Sequence, residues 1–303
     1  MQSTFLTLKL TQKGVTIMEI KTIAVLGAGL MGHGITQVAA QTAKYEVYMR
    51  DIKREFIDNG MKMINDSLQR FVKKGEMTEA QVNEVLGRIH PTLDLKEAVS
   101  NADLVIEAVT ENPEIKKKVL AEADSLAKPE AIIASNTSSI SISELASATK
   151  RPEKFVGMHF FNPPQLMKLI EIVRGAKTSD DTLNTIVEVT KIMGKEPVVV
   201  KKDVAGFVVN RVLIPALNEA VNLVNEDVAT PEDIDKAIKL GLNWPMGPLT
   251  LLDYVGLDTT LAITEVMVKE INSKYQASPL LRQMVRAGLL GRKTGKGFYD
   301  WKK

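Results

Sequence analysis

The sequence contains no cysteine, and its three histidines are scattered along the chain. The absence of cysteine excludes disulfides, thiolate metal sites and cysteine nucleophiles. Three separated histidines do not form a zinc site of the usual type, so we predict no metal. A chain without cysteine suits a reducing compartment, and we expect a cytoplasmic protein.

A strong charge of one sign and a long apolar run are also missing. The 39 basic side chains nearly balance the 37 acidic ones, which gives a net charge of +2. Such a balance provides no electrostatic footprint for nucleic acid. No apolar run approaches the roughly 20 residues that span a bilayer, so we expect no membrane segment. With 303 residues, of which 45% are hydrophobic, the chain is long enough for two globular domains.

The first 18 residues, MQSTFLTLKLTQKGVTIM, precede the regular apolar pattern of the rest of the chain. They lack a basic segment followed by an apolar one, so they do not read as a secretory signal. We predict that residues 1–18 form a disordered or loosely attached tail.

From residue 19 short apolar runs alternate with helical patterns. Runs such as KTIAVLGAG at 21–29 and ADLVIEAV at 102–109 are typical of buried parallel strands. Strands separated by helices predict a Rossmann-type, doubly wound and mostly parallel sheet over residues 19–202. Two helical patterns at 53–89 interrupt this alternation and predict a helical hairpin, with a break at Gly75 and a cap at Thr78.

A different pattern begins at about residue 203, where long helical segments follow one another to the C-terminus. Asp203 is a possible N-cap of the first of these helices. Thr230 followed by Pro231 marks the start of the second. We therefore predict an all-α domain over residues 203–303.

The stretch GAGLMG places Gly27, Gly29 and Gly32 in the spacing of a dinucleotide-binding loop. The stretch follows a predicted strand and opens a predicted helix, which is the context that this motif requires. Asp51 ends the second predicted strand, where a carboxylate accepts hydrogen bonds from the adenine ribose and repels a 2′-phosphate. The pattern favours NAD, but Arg50 and other basic neighbours of Asp51 leave NADP open.

The stretch KFVGMHFFNPP contains His159 near the end of a predicted strand. Open α/β sheets bind ligands at this edge. Glu171 lies on the next predicted strand after a Pro-Pro turn, so the two side chains can meet and transfer a proton. The alternative is that His159 is a structural core histidine with satisfied hydrogen bonds, beside a glutamate on an edge strand. We expect His33 to be neutral and structural, and His90 to face solvent in a connection.

Several long motifs occur together and in order: GAGLMGHGI, IEAVTEN, SNTSSISI, GMHFFNPPQLMKLIEIV, GFVVNRVLIPALNEA, WPMGPLTLLDYVGLDT and RKTGKGFYDW. In these motifs the chain resembles the L-3-hydroxyacyl-CoA dehydrogenases, and most of all the bacterial 3-hydroxybutyryl-CoA dehydrogenases. The likeness runs from about residue 19 to the C-terminus, so the tail has no counterpart.

The resemblance implies roles for individual residues. The implied catalytic residues are His159, Glu171, Ser138, which binds the 3-oxygen of the substrate, and Asn210, which positions the substrate. Ser67 and Lys74 of the helical hairpin are implied contacts to coenzyme A. The implied cofactor residues are Gly27, Gly29, Leu30, Met31, Gly32, Asp51, Glu111, Lys116, Ser138, Asn162 and Lys293.

The reaction that the resemblance implies is reversible hydride transfer between NAD(P)H and acetoacetyl-CoA or (S)-3-hydroxybutyryl-CoA. His159 would act as general acid or base, and the acyl-CoA would lie between the two domains. The resemblance also implies a homodimer or higher homo-oligomer. Two alternatives remain: an NAD-dependent dehydrogenase of a hydroxy acid without CoA, and a dinucleotide-binding relative without catalysis.

Overall fold

The computed structural model describes residues 8–10 and 16–301. The chain divides into two compact units, residues 1–203 and residues 204–303. We call the first the Rossmann unit and the second the helical unit.

The Rossmann unit begins with two short strands, β1 (Leu8–Leu10) and β2 (Thr16–Met18), which pair antiparallel. The prediction of a disordered tail is therefore wrong for these two segments, and residues 1–7 and 11–15 lie outside the described part. The backbone N–H of Met18 donates to Oγ1 of Thr185 at 3.2 Å, and the Met18 side chain packs against the buried core. Each strand has only three residues, which is too short to show an apolar periodicity.

An eight-stranded sheet forms the centre of this unit. Its strands are β3 (Thr22–Leu26), β4 (Glu46–Arg50), β5 (Ile89–Thr92), β6 (Leu104–Glu107), β7 (Ile132–Ser135), β8 (Phe155–Phe160), β9 (Leu169–Val173) and β10 (Glu196–Val200). They follow the order β10-β9-β8-β7-β6-β3-β4-β5, and every pair is parallel except β8 with β9. The predicted doubly wound, mostly parallel sheet is thus confirmed.

Strand β5 was not predicted from the sequence. His90 lies in this strand rather than in a connection, and its Nε2 is 2.7 Å from Oε2 of Glu46 on the neighbouring strand. Pro91 is tolerated there because β5 is the last strand of the sheet, where a missing backbone N–H breaks no ladder. Because His90 and Pro91 interrupt its apolar pattern, this strand could not be predicted from apolar periodicity.

The helices of this unit are α1 (Gly32–Gln41), α2 (Arg54–Lys73), α3 (Glu79–Gly87), α4 (Leu95–Val99), α5 (Pro113–Leu126), α6 (Ile142–Ala146) and α7 (Asp180–Ile192). Helices α2 and α3 are the predicted hairpin. Gly75 takes a φ of 74° between them, and Thr78 forms a capping box with Gln81 at the start of α3.

The helical unit contains α8 (Val209–Asn225), α9 (Pro231–Leu242), α10 (Pro248–Val255), α11 (Leu257–Glu270) and α12 (Pro279–Arg286). Its core is built from apolar side chains of these helices, among them Leu217, Leu252 and Leu281. Thr230 caps α9 as predicted, because its side chain accepts a hydrogen bond from the N–H of Asp233.

Asp203 does not cap α8. Its carboxylate accepts hydrogen bonds from the backbone N–H groups of Ile142 and Ser143, at the start of α6. The positive φ values of Gly206 and Phe207 delay the beginning of α8 to Val209. Asp203 therefore stabilises a helix that lies far from it in sequence.

Candidate active site and cofactor site

The glycine loop between β3 and α1 has three glycines with different surroundings. Gly27 takes a φ of 111°, and a Cβ there would lie 2.5 Å from the carbonyl oxygen of Ala108. A Cβ on Gly32 would lie 1.8 Å from the carbonyl oxygen of Gly27. A Cβ on Gly29 would meet no protein atom within 4 Å. Gly27 and Gly32 thus allow close packing, whereas Gly29 leaves the backbone open to a ligand.

Asp51 anchors this loop. Its Oδ2 accepts a hydrogen bond from the N–H of Ala28 at 2.7 Å, and its Oδ1 accepts one from the N–H of Ile52 at 2.6 Å. A cavity of about 460 Å³ extends from the loop past Asp51 to the segment 108–110 after β6. Leu30 is 62% exposed, and Met31 packs partly against the core. The cavity, the open Gly29 and the helix N-terminus together fit a dinucleotide.

A buried charge network lies behind the segment 108–110. Lys116 of α5 is 1% exposed, and its Nζ lies 2.7 Å from Oε1 of Glu107 and 3.2 Å from Oε2 of Glu111. Glu107 is fully buried and was not identified from the sequence. A signal that could have found it is an acid inside the apolar run ADLVIEAV, where a buried strand is expected.

Glu111 also fixes the loop that follows β7. Its Oε1 accepts hydrogen bonds from Oγ1 of Thr137 at 2.6 Å and from the N–H of Ser138 at 2.9 Å. Burial works against ionisation of Glu111, but Lys116 and these hydrogen bonds outweigh it and hold its pKa below the usual value. Glu111 therefore links the expected cofactor residue Lys116 to the expected substrate residue Ser138.

His159 and Glu171 are directly opposed on the antiparallel strands β8 and β9. Nδ1 of His159 lies 2.8 Å from Oε2 of Glu171, which is fully buried. The His159 ring also packs against Phe161, with 4.5 Å between the ring centroids. Since a carboxylate accepts a hydrogen bond, the contact favours the tautomer with the proton on Nδ1. Proton exchange with a substrate would then use Nε2.

Asn136, which the sequence reading missed, connects this pair to the Ser138 loop. Its Oδ1 accepts a hydrogen bond from the N–H of Phe160 at 2.9 Å, so the residue after β7 is tied to the end of β8. Asn162 lies exposed just beyond β8, followed by a cis peptide bond to Pro163. The structure thus brings the Ser138 loop, His159 and Asn162 to the same edge of the sheet.

The two expected CoA contacts line one groove. Ser67 lies on α2, Lys74 is the residue that caps the C-terminus of this helix two turns later, and both border a cavity of about 240 Å³. The rest of its lining is formed by Arg70, Phe71, Pro163, Gln165 and Leu166. The last three follow Asn162, so the groove joins the helical hairpin to the turn between β8 and β9. It offers cations for phosphate groups and apolar surface for an acyl or pantetheine chain.

The helical unit carries the two remaining expected residues. Asn210 lies in the first turn of α8 and is half-buried. Lys293 is 45% exposed and forms an ion pair with Asp258 of α11.

Within residues 8–10 and 16–301, no helix is long and apolar enough to cross a bilayer. No cluster of three or more histidine, cysteine or acidic side chains in those ranges could hold a metal ion.

Comparisons with known proteins agree along almost the whole chain. Residues 22–204 match the family described as 3-hydroxyacyl-CoA dehydrogenase, NAD binding domain, and residues 206–301 match the corresponding C-terminal domain. The chain is similar to the Deinococcus radiodurans protein named "Probable 3-hydroxybutyryl-CoA dehydrogenase", with 52% identity over 91% of this chain and 99% of the relative. The 3-hydroxybutyryl-CoA dehydrogenase of Clostridioides difficile is 46% identical over 93% of this chain and 99% of its own length. The crystal structure of (S)-3-hydroxybutyryl-CoA dehydrogenase from Ralstonia eutropha is similar, with a TM-score of 0.90, 45% identity, and coverage of 94% of this chain and 100% of that one.

Proposed function

The chain belongs to the 3-hydroxyacyl-CoA dehydrogenase family, and from that premise we propose that it interconverts acetoacetyl-CoA and (S)-3-hydroxybutyryl-CoA. Relatives with that named activity support the four-carbon substrate. The single observation that carries the proposal is the hydrogen bond between His159 and the buried Glu171 at the ligand-binding edge of the sheet. NAD is the cofactor, since the N-terminal match is to an NAD-binding domain.

The proposed proton transfer takes place at Nε2 of His159. During oxidation this nitrogen accepts the proton of the 3-hydroxyl group, and during reduction it returns a proton to the 3-keto oxygen. Glu171 stabilises the imidazolium and holds the ring in the required tautomer through Nδ1. NAD, when bound, supplies the hydride acceptor or donor. Ser138 donates a hydrogen bond to the 3-oxygen.

The remaining assignments follow from the same family. Ser67 and Lys74 bind the coenzyme A part of the substrate, which the cations and apolar surface of their common groove support. Asn162 contacts the nicotinamide side of the cofactor. In the helical unit, Asn210 positions the substrate and Lys293 contacts the cofactor. We further propose a homodimer or higher homo-oligomer in the cytoplasm.

Steady-state kinetics test the proposed function. The purified protein is mixed with acetoacetyl-CoA and NADH, and the loss of NADH absorbance is followed. Parallel assays replace acetoacetyl-CoA by free acetoacetate, or NADH by NADPH. We expect rapid turnover with acetoacetyl-CoA and NADH, and little with free acetoacetate. Turnover of the free acid alone would contradict the CoA substrate, and no turnover of either would contradict the dehydrogenase.

A further inference from the structure

Glu107 joins the two loops that carry the proposed cofactor and substrate residues. It is the last residue of β6 and is paired in register with Ser135, the last residue of β7. The loop after β6 contains Glu111 and lines the cofactor cavity, and the loop after β7 contains Ser138. A single fully buried carboxylate therefore lies where both loops begin.

The carboxylate of Glu107 has a partner on each side. Its Oε1 accepts hydrogen bonds from the N–H of Val109 and from Nζ of Lys116, both at 2.7 Å. Its Oε2 accepts one from Oγ of Ser135 at 2.6 Å. The Ser135 hydroxyl in turn accepts a hydrogen bond from the N–H of Thr137 at 3.2 Å. Glu107 thus fixes the first residues of both loops.

Lys116 connects Glu107 to further residues of the loop after β6. Its Nζ also donates to the carbonyl oxygen of Val109 at 3.2 Å and contacts Glu111 at 3.2 Å. Glu111 then holds the N–H of Ser138. A lysine that is almost fully buried needs a counter-charge in a defined place, and Glu107 is the buried one of its two acidic partners.

The geometry points to Glu107 as a positioning residue for cofactor binding. It holds Lys116 and the segment 108–110 in the arrangement that forms one wall of the cofactor cavity. It touches neither substrate nor reacting atoms. The inference rests on the proposed function, because it assumes that this cavity takes the dinucleotide.

Asp124 provides a matched control on the same helix as Lys116. Its carboxylate is also buried and forms an ion pair with Arg151 at 2.7 Å, while its other oxygen accepts from the N–H of Lys150 at 2.9 Å. Neither of these partners lines the cofactor cavity. Loss of either buried carboxylate should destabilise the fold, but only Glu107 should affect the cofactor.

The test compares Glu107→Gln with Asp124→Asn. NADH binding is titrated by fluorescence without acyl substrate, and thermal unfolding is recorded for each variant. We expect both variants to unfold at lower temperature than the wild type. We expect Glu107→Gln to raise the NADH dissociation constant about tenfold and Asp124→Asn to leave it within about twofold. In the kinetic assay, Glu107→Gln should raise the KM for NADH more than the KM for acetoacetyl-CoA, because the N–H of Ser138 is still held by Glu111.

Should Glu107→Gln fail to fold, Ser135→Ala keeps the carboxylate and removes the hydroxyl that donates to its Oε2 and accepts from the N–H of Thr137. It is expected to weaken NADH binding about threefold. Unchanged NADH affinity in whichever of these two variants folds would overturn the inference. The inference would also fail if Asp124→Asn weakened NADH binding as much as that variant does. The binding titration needs no acyl substrate. A wild type that binds NADH but does not reduce acetoacetyl-CoA would therefore contradict the proposed function and leave this comparison intact.

Discussion

Both units bury carboxylates, but the partners of these carboxylates differ. In the Rossmann unit, Glu171 faces the titratable ring of His159, and Glu107 faces the ammonium group of Lys116. In the helical unit, Asp253 accepts hydrogen bonds from the N–H groups of Phe298 and Tyr299 at 2.9 Å, and from Nε1 of Trp301 at 2.8 Å. Asp253 holds the C-terminal segment in place, whereas Glu171 and Glu107 lie at the sheet edge where we propose that substrate and cofactor bind.

Asp235 shows the same closed environment in the helical unit. It accepts hydrogen bonds from the N–H groups of Leu249 and Thr250, and from the hydroxyl of Tyr299 at 2.9 Å. Burial, together with Asp235, raises the pKa of Tyr299, so this phenol remains a donor. A buried acid alone therefore does not indicate a functional site. A titratable or cationic partner beside an open cavity is the distinguishing feature.

The largest effect is expected at His159, the titratable partner in the Rossmann unit. His159→Gln removes the proposed acid–base group, so kcat should fall about 100- to 10,000-fold with a modest change in the KM for acetoacetyl-CoA. His90→Gln is the control, because His90 pairs with Glu46 at the far edge of the sheet. The His159 assignment is untenable if its variant turns over at the rate of the control.

The next effect concerns stability in the helical unit. Asp253→Ala leaves three donors without their acceptor in a buried place, so the free energy of unfolding should fall by about 3 kcal/mol. Both tryptophans, Trp244 and Trp301, belong to this unit, so their fluorescence in urea reports its unfolding. Glu226→Ala, at an exposed acid of the same unit, should change the value by less than about 0.5 kcal/mol. Equal effects of the two variants would refute a structural role for Asp253.

The two units also differ in the space around a glycine, Gly29 in the Rossmann unit and Gly297 in the helical unit. A Cβ on Gly29 enters open space, whereas a Cβ on Gly297 would lie 2.0 Å from Oδ1 of Asp253. Gly29→Ala should keep the thermal midpoint and weaken NADH binding about tenfold. Gly297→Ala should lower the midpoint, because Asp253 is held by its three donors and cannot move aside. If Gly29→Ala lost stability but kept its NADH affinity, Gly29 would be a packing residue and not a residue that leaves the backbone open to the cofactor.

The smallest effect concerns acid stability. The folded protein holds the pKa of Glu111 below its ordinary value of 4.5, mainly because Lys116 and the Thr137 hydroxyl outweigh burial. Glu111 therefore stabilises the fold above that value, and this contribution disappears as the pH falls through the lowered pKa. Chemical unfolding of wild type and Glu111→Gln between pH 7 and pH 3 should show a stability difference that shrinks towards the acid end. A difference independent of pH would contradict the direction of the pKa shift.

The sequence predicted the features that depend on local patterns. The glycine spacing, the cap at Thr78 and the alternation of strands and helices follow from residue type and period. His159 and Glu171 could be placed near each other because a short turn separates two apolar strands. The antiparallel register that opposes them directly is a finding of the structure.

Contacts between residues that are far apart in the sequence could not be predicted from local patterns. Glu107 and Asn136 contact residues that adjoin them only after the sheet has formed, and their places in the motifs IEAVTEN and SNTSSISI do not indicate these contacts. Asp203 resembles a helix cap by its position before α8, but its carboxylate instead accepts hydrogen bonds from N–H groups at the start of α6, whose N-cap residue is Ser141. Ser67 and Lys74 were assigned through the resemblance, since two polar residues on an exposed helix have no chemical signature of their own.

The most direct test of the central claim is the pH–rate profile of Glu171→Gln with acetoacetyl-CoA and NADH. The carboxamide keeps the shape of the side chain but cannot stabilise an imidazolium. We expect kcat to fall about 10- to 1,000-fold and the pH–rate profile to differ in shape from that of the wild type. Circular dichroism should show the fold retained. A variant with wild-type kcat and an unchanged profile would contradict the proposal that His159 and Glu171 form the acid–base pair.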